Sequence, residues 1–353
     1  MAFLIFVLVD LVSMVTTQSA AMQLATTQTA ATQPVFSPPP LAAIKAAAGY
    51  SKAHRGFALL VTIDGKIAFE QYDGDGAPDR ADGLASGSKS FAGAAAVAAV
   101  QDGFIRLDDP VAGSIPEWNA DPLKASLTYR HLLNMTSGIT RVPARPNGAM
   151  ASWKEQAAMP LAHKPGERFD YGGHQINVFA YALERKLRGG ETYEQYLNRR
   201  ILDPIGAKVE WRERCEDGHP RAGGGGAMTA RAWAAFGELL RRDGTFNGKP
   251  LLDPMLLREC FRGSRANPAY GLAWWLKSPV AEELRRAIPM LDERWADVAN
   301  STLIPDDLVT ALGGGGQRLY VIPSLKLVVV RQGGKSDEEF NDLQFLRLLL
   351  GRS

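Results

Sequence analysis

Cysteine is scarce in this chain. There are two among 353 residues, Cys215 and Cys260, far apart and without metal-ligand or redox spacing. They read as two buried thiols or as one disulfide. The five histidines, His54, His131, His163, His174 and His219, form no His-x-His or His-Glu-x-x-His pattern. No metal and no cofactor is therefore expected. Charge of one sign is also missing: the formal net charge is +2, with acidic and basic residues interspersed. That gives no field to gather nucleic acid or a membrane surface. There is no Gly-x-Ser-x-Gly elbow, since Gly83-Leu84-Ala85-Ser86-Gly87 has the wrong spacing. A conventional Ser-His-Asp hydrolase is disfavoured on that ground. The apolar run Ala2 to Val15, interrupted by Asp10 and Ser13, is too short for a stable membrane span.

That run has another reading. Ser19-Ala20-Ala21 supplies small residues for signal peptidase, and Met22 to Pro40 is rich in Thr, Gln, Ala and then Pro. Residues 1–21 are read as a signal peptide and 22–40 as a low-complexity linker, with residues 1–40 outside the fold. The expected location is periplasmic or secreted. Against it, no Lys or Arg precedes the apolar run, and a cytoplasmic location is the alternative.

What is present is an ordinary globular composition, 46% apolar, organised around Ser86-Gly87-Ser88-Lys89. If both residues begin a helix, one turn puts the lysine amine beside the serine hydroxyl, where it can accept the proton. The following stretch, Ser90 to Val100, is apolar all round, which predicts a buried helix. A serine at such an N-terminus meets backbone N–H groups and a dipole that favour negative charge, as an acyl-transfer nucleophile requires. The tetrapeptide alone is equally met by an N-cap serine and a solvated lysine.

Along the chain, Leu41 to Ala53 reads as a helix, and 56–63 with 66–72 as a hairpin about Asp64-Gly65. Thr128 caps a helix starting near Leu127, and Lys164 to Gly173 is a Pro- and Gly-marked loop running to Tyr171. Helices are expected over 176–187, 191–201, 230–242 and 337–350, and strands over 270–276, 317–322 and 327–331. The run Gly223 to Gly226 lacks the Lys-Ser/Thr of a phosphate loop, so close backbone approach is its expected purpose. The fold class is α+β. A central antiparallel sheet built from both chain ends is flanked by helices, with a mostly helical lobe inserted. Residues 41–110 and 223–353 would form the α/β lobe and 111–222 the helical one, together one discontinuous catalytic unit.

The ordered blocks Ser86-x-x-Lys89, Arg130-His-Leu-Leu133 with Thr136-Ser-Gly138, and Pro165-Gly166 leading to Tyr171 resemble the serine β-lactamase-like hydrolases. Gly224-Gly225 with Thr229-Ala-Arg231, and Gly316-Gln317 leading to Tyr320-Val-Ile-Pro323 and Leu327 to Val330, continue the resemblance over about residues 45–350. The group includes class C β-lactamases, D,D-peptidases, carboxylesterases and 6-aminohexanoate-dimer hydrolases. The β-lactamase/transpeptidase-like fold follows from the resemblance. So do the roles: Ser86 as nucleophile, Lys89 as its activator, and Tyr171 as the tyrosine of the Tyr-x-Asn element that shuttles the proton. Backbone N–H groups of Ser86 and Gly314 would hold the oxyanion. Which of Lys89 and Tyr171 takes the first proton stays open, because such a pair titrates together.

Two departures stand out. Gly173 replaces the Asn of Tyr-x-Asn, with His174 or Gln175 as substitutes. Ala311-Leu312-Gly313 stands where relatives carry Lys-Thr-Gly or His-Thr-Gly, so the cation that helps β-lactamases hold a carboxylate is gone. This favours neutral esters or small amides over penicillins. The expected activity is thus that of a metal-independent serine hydrolase (EC 3.1 or 3.5) acting on a small ester, amide or lactam. A β-lactamase or D,D-peptidase, and a non-catalytic penicillin-binding sensor, are the alternatives. Gly173, His174, Gly313 and Trp274 are candidate substrate-binding residues. Arg141, Arg145, Trp153 and Trp275 are further candidates for the pocket walls.

Overall fold

The first elements form where local chemistry puts them. Helix α1 (Leu41–Ala53) is followed by strands β1 (Gly56–Ile63) and β2 (Lys66–Tyr72). Asp64 and Gly65 between them have φ of 50° and 79°, the doubly left-handed turn that Asp-Gly tolerates and that matches strand twist. β1 is nearly all buried, so it needs a partner on its other edge as well. That partner comes from the far end of the chain: β9 (Leu327–Gly333), with Leu60 opposite Val330 on one side and Glu70 on the other. β8 (Gln317–Ile322), β7 (Val309–Gly313) and β6 (Trp275–Leu276) complete a six-stranded sheet in the order β2-β1-β9-β8-β7-β6. Its paired strands are antiparallel. A second, small sheet has the order β3-β5-β4, from β3 (Asp82–Gly83), β4 (Glu210–Trp211) and β5 (Gly226–Met228).

This computed structural model describes residues 36–288, 295–334 and 340–352. The expected signal peptide, the linker as far as residue 35, and the first residues of the expected closing helix (337–339) lie outside the described residues. Phe36, assigned above to the linker, packs against the core and under the Arg352 guanidinium, 5.2 Å from the ring centroid. Among the described residues no helix is long and apolar enough to cross a membrane.

Helix α2 (Ser90–Gln101) is buried from Ser90 to Ala99, as its all-apolar surface demands. Helix α5 (Ala230–Arg241) crosses β1, β8 and β9, with Thr229 capping its N-terminus. A Cβ on Gly237 would stand 2.6 Å from Val328 Cγ1, so glycine sets how closely this helix approaches the sheet. Helix α6 (Asp342–Leu349) packs on α1.

Several elements differ from expectation. Only 275–276 of the expected 270–276 strand is extended, because Ala273 adopts φ +66° and bends the chain. Thr128 caps α3 (Tyr129–Leu133), and the 176–187 helix is α4 (Gly173–Glu184), which starts a turn earlier. The 191–201 helix breaks at Asn198 into a π-helical turn. Strand β7 was not anticipated. It makes Gly314 to Gly316 a tight β7–β8 turn, with φ near +75° at Gly315 and Gly316. Cys215 and Cys260 are both buried free thiols.

Candidate active site

Ser86 lies on a 3-10 turn, Ala85–Lys89, and not on the α-helix itself. The difference matters. With three residues per turn, positions i and i+3 eclipse, so Ser86 and Lys89 stand directly one above the other. Lys89 Nζ donates to Ser86 Oγ at 2.7 Å and to the Gly223 carbonyl at 2.6 Å. Lys89 is 3% exposed, while Ser86 is half-buried and open to a reactant. A lysine this buried loses much of its preference for the charged form. Burial first, then the nearby Arg221 and Arg141 charges, push its pKa down to about 7. The solvated-lysine reading of the motif is thereby removed.

The turn is held from several sides. Ser88 Oγ donates to Ala85 O at 2.8 Å and accepts from Gly226 N at 3.1 Å, and Leu84 N donates to Gly226 O at 2.8 Å. Ala85, next to Ser86, has φ +46°, a left-handed conformation that costs a non-glycine residue roughly 1 kcal/mol or more. Those bonds keep it there. The end of β7 closes on the same turn. A Cβ on Gly313 would stand 2.1 Å from Leu84 O and 3.2 Å from Gly87 N, so only glycine permits the approach. Among the described residues, the N–H groups of Ser86 and Gly314 make no hydrogen bond. They lie on the two segments that meet here. The β7–β8 turn is braced by Arg331, whose Nη1 donates to Gly316 O at 2.7 Å, and by Gln317 Nε2 on Gly333 O at 2.7 Å.

Tyr171 completes the cluster. Lys89 Nζ lies 4.8 Å from its ring centroid. The ring is fixed by Trp275, Tyr270 and Phe169, with centroids 5.6, 5.8 and 6.3 Å away.

The Beta-lactamase family model matches residues 41–343. The chain belongs to the Beta-lactamase family. That is a family of serine hydrolases, and the fold is its β-lactamase/transpeptidase-like fold. Among curated relatives, the protein flp of Staphylococcus aureus strain MW2 is 25% identical over 170 residues, 43% of this chain and 34% of flp. The lovastatin esterase of Penicillium rubens is 27% identical over 202 residues, 44% of this chain and 49% of the esterase. The chain thus spans a third to a half of the length of these relatives. A solved Bacillus anthracis structure, assigned as a 6-aminohexanoate-dimer hydrolase, superposes with a TM-score of 0.67 at 19% identity, covering 86% of this chain and 79% of that one.

Within this β-lactamase-family site the remaining candidates divide. Gly173 is at the site as backbone: it packs against Gly223, where a Cβ would stand 2.4 Å from Gly173 O. This close approach accounts for the first glycine of the 223–226 run. His174 turns Nε2 to Ile139 O at 2.8 Å and is pushed toward neutrality by burial. Gln175 is fully engaged by Ser137 and by Asp170 O, so it is not available as a substitute for the missing Asn. Trp274 is not at the site. Its neighbour Trp275 faces Tyr171, while Trp274 is buried in the core between Phe236 and Phe261. The bend at Ala273, φ +66°, precedes the pair, and only Trp275 reaches the site. Trp153 is also core, with Nε1 donating to Pro220 O, and Arg145 is occupied by Glu155 and Glu216. Residues that the sequence reading missed are Asn177, Arg221, Tyr270 and Gly223 itself. Asn177 Oδ1 accepts from Gly223 N at 3.1 Å and so positions the carbonyl that Lys89 meets. Asn177 stands four positions beyond Gly173, one helical turn along α4, which is a signal that could have found it.

Proposed function

We propose that this chain is a metal-independent serine hydrolase that cleaves ester or small amide bonds through an acyl-serine. The observation that carries this reading is the buried Lys89 amine, 2.7 Å from Ser86 Oγ and poised to be uncharged near neutral pH. Ser86 Oγ bonds the substrate carbonyl carbon while its proton passes to the Lys89–Tyr171 pair. The developing oxyanion is met by the Ser86 and Gly314 N–H groups. As the carbonyl re-forms, the bond to the leaving oxygen or nitrogen breaks, and that atom takes up the proton. Water then attacks the acyl carbon, returns its proton through the same pair, and frees Ser86. The lovastatin esterase and the aminohexanoate-dimer hydrolase likeness support ester and small-amide substrates.

The test is turnover of p-nitrophenyl acetate and butyrate beside nitrocefin, with intact-mass detection of the adduct. Wild type is expected to release nitrophenolate through a transient acyl adduct, unaffected by EDTA. Ser86→Ala is expected to fold and to lose the adduct. Labelling that persists in Ser86→Ala would sink the assignment. A long-lived β-lactam adduct without ester turnover would replace this reading with a penicillin-binding or lactamase one.

A further inference from the structure

Two arginines border the seam where Lys89 and Tyr171 are held. Arg141, on the loop following Ser137-Gly138, donates through Nη2 to the carbonyl of Tyr171. Its Nε lies 3.5 Å from where a Cβ on Gly172 would stand. Arg221 lies on the segment that carries Gly223. Its Nε is 3.5 Å from the Cβ position of Gly224, and its own carbonyl accepts from Gly224 N and Gly225 N. Gly173 and Gly223, the chain neighbours of Gly172 and Gly224, are in backbone contact, and Gly223 O is the acceptor of Lys89.

Both guanidiniums are reachable, with side chains 63% and 38% exposed. Their acidic neighbours leave donors over. Asp170 is 3.9 Å from Arg141, a loose pairing, and Glu213 engages Arg221 through Nη1. The potential they create at Lys89 is positive, since both lower its proton affinity. Strand β7, whose Gly313 end closes on the Ser86 turn, carries no charge: it is Val-Thr-Ala-Leu-Gly. A neutral substrate gains nothing from this asymmetry. An anionic one is drawn to the arginine side and met by planar donors suited to a carboxylate.

We infer that Arg141 and Arg221 select substrates carrying a carboxylate a few atoms from the scissile ester or amide. This rests on the hydrolase reading for its chemistry, and it reverses the neutral-substrate expectation drawn from Ala311.

The experiment compares p-nitrophenyl hydrogen glutarate with its size-matched neutral analogue, p-nitrophenyl 4-carbamoylbutanoate. Wild type is expected to favour the carboxylate by about tenfold or more in kcat/KM at low ionic strength, with the preference shrinking as salt rises. In the double variant Arg141→Gln/Arg221→Gln the ratio should fall about tenfold, toward unity. A wild-type ratio near one, or a ratio unchanged in the double variant, overturns the inference. Calorimetric titration with glutarate itself reads the same site without turnover. Binding that weakens about tenfold in the double variant supports the clamp even if no ester is cleaved, in which case the hydrolase reading alone has failed. Equal binding by wild type and double variant refutes the clamp.

Discussion

At the residue scale the proposed mechanism turns on Lys89. Its amine accepts a proton only when uncharged, and burial moves that condition from strongly alkaline pH to about 7. The free-base form grows as pH rises, so kcat/KM should climb through an apparent pKa near 7 and then level. A stopped-assay pH profile on p-nitrophenyl butyrate checks this, and a limb near pH 10 would exclude Lys89 as the base. Lys89→Ala and Tyr171→Phe should each lower the rate by about 10²–10⁴, the usual loss for a proton-transfer group. Near wild-type turnover in either variant would remove that residue from the mechanism. That Ser86, Lys89 and Tyr171 would come together was legible in the sequence, because a short local spacing, or a Pro-Gly landmark, marks each. Trp275 was named only as one of several candidate wall residues, and Arg221 and Tyr270 not at all, because each reaches the site from a segment that local pattern does not connect to it.

At the element scale, backbone proximity decides. The glycine run was legible as a close approach, but its partner was not, since the contact of Gly223 with Gly173 joins segments about 50 residues apart in sequence. Gly223→Ala should force that seam open. A new Cβ 2.4 Å from a carbonyl oxygen costs on the order of 1–3 kcal/mol, and the carbonyl holding Lys89 would shift with it. The expected outcome is a lowered melting temperature and a drop in kcat of at least about tenfold, since small misplacements of catalytic groups are costly. Wild-type values for both would show that the seam does not position the base. The misread 270–276 strand teaches the opposite lesson. Its apolar load fits a strand, yet Ala273 in the left-handed region breaks it, and no residue type there announces the bend. The same bend sends Trp274 inward and leaves Trp275 beside Tyr171.

At the scale of the whole molecule, the apolar runs in 56–63, 317–322 and 327–331 announced a sheet from both chain ends, and β1 does lie between β2 and β9. What could not be read was the sixfold order, because β7 is short and contains Gly313, and β6 has two residues. Cross-linking plays no part in holding this arrangement: Cys215 and Cys260 are separate buried thiols, and burial pushes them up to about 11 and about 12. Reductant should therefore leave the melting temperature unchanged. A fall on adding it would reveal a disulfide.

The placement of β1 also sets an order of events during synthesis. The strand that covers the open edge of Leu59, Leu60 and Val61, at Val329 to Arg331, is made about 270 residues after them. At about 5–20 residues per second, the first hairpin waits tens of seconds with an unpaired apolar edge exposed. Nothing local can close that edge, so the sheet stays unfinished, and vulnerable to pairing with other chains, until β9 emerges.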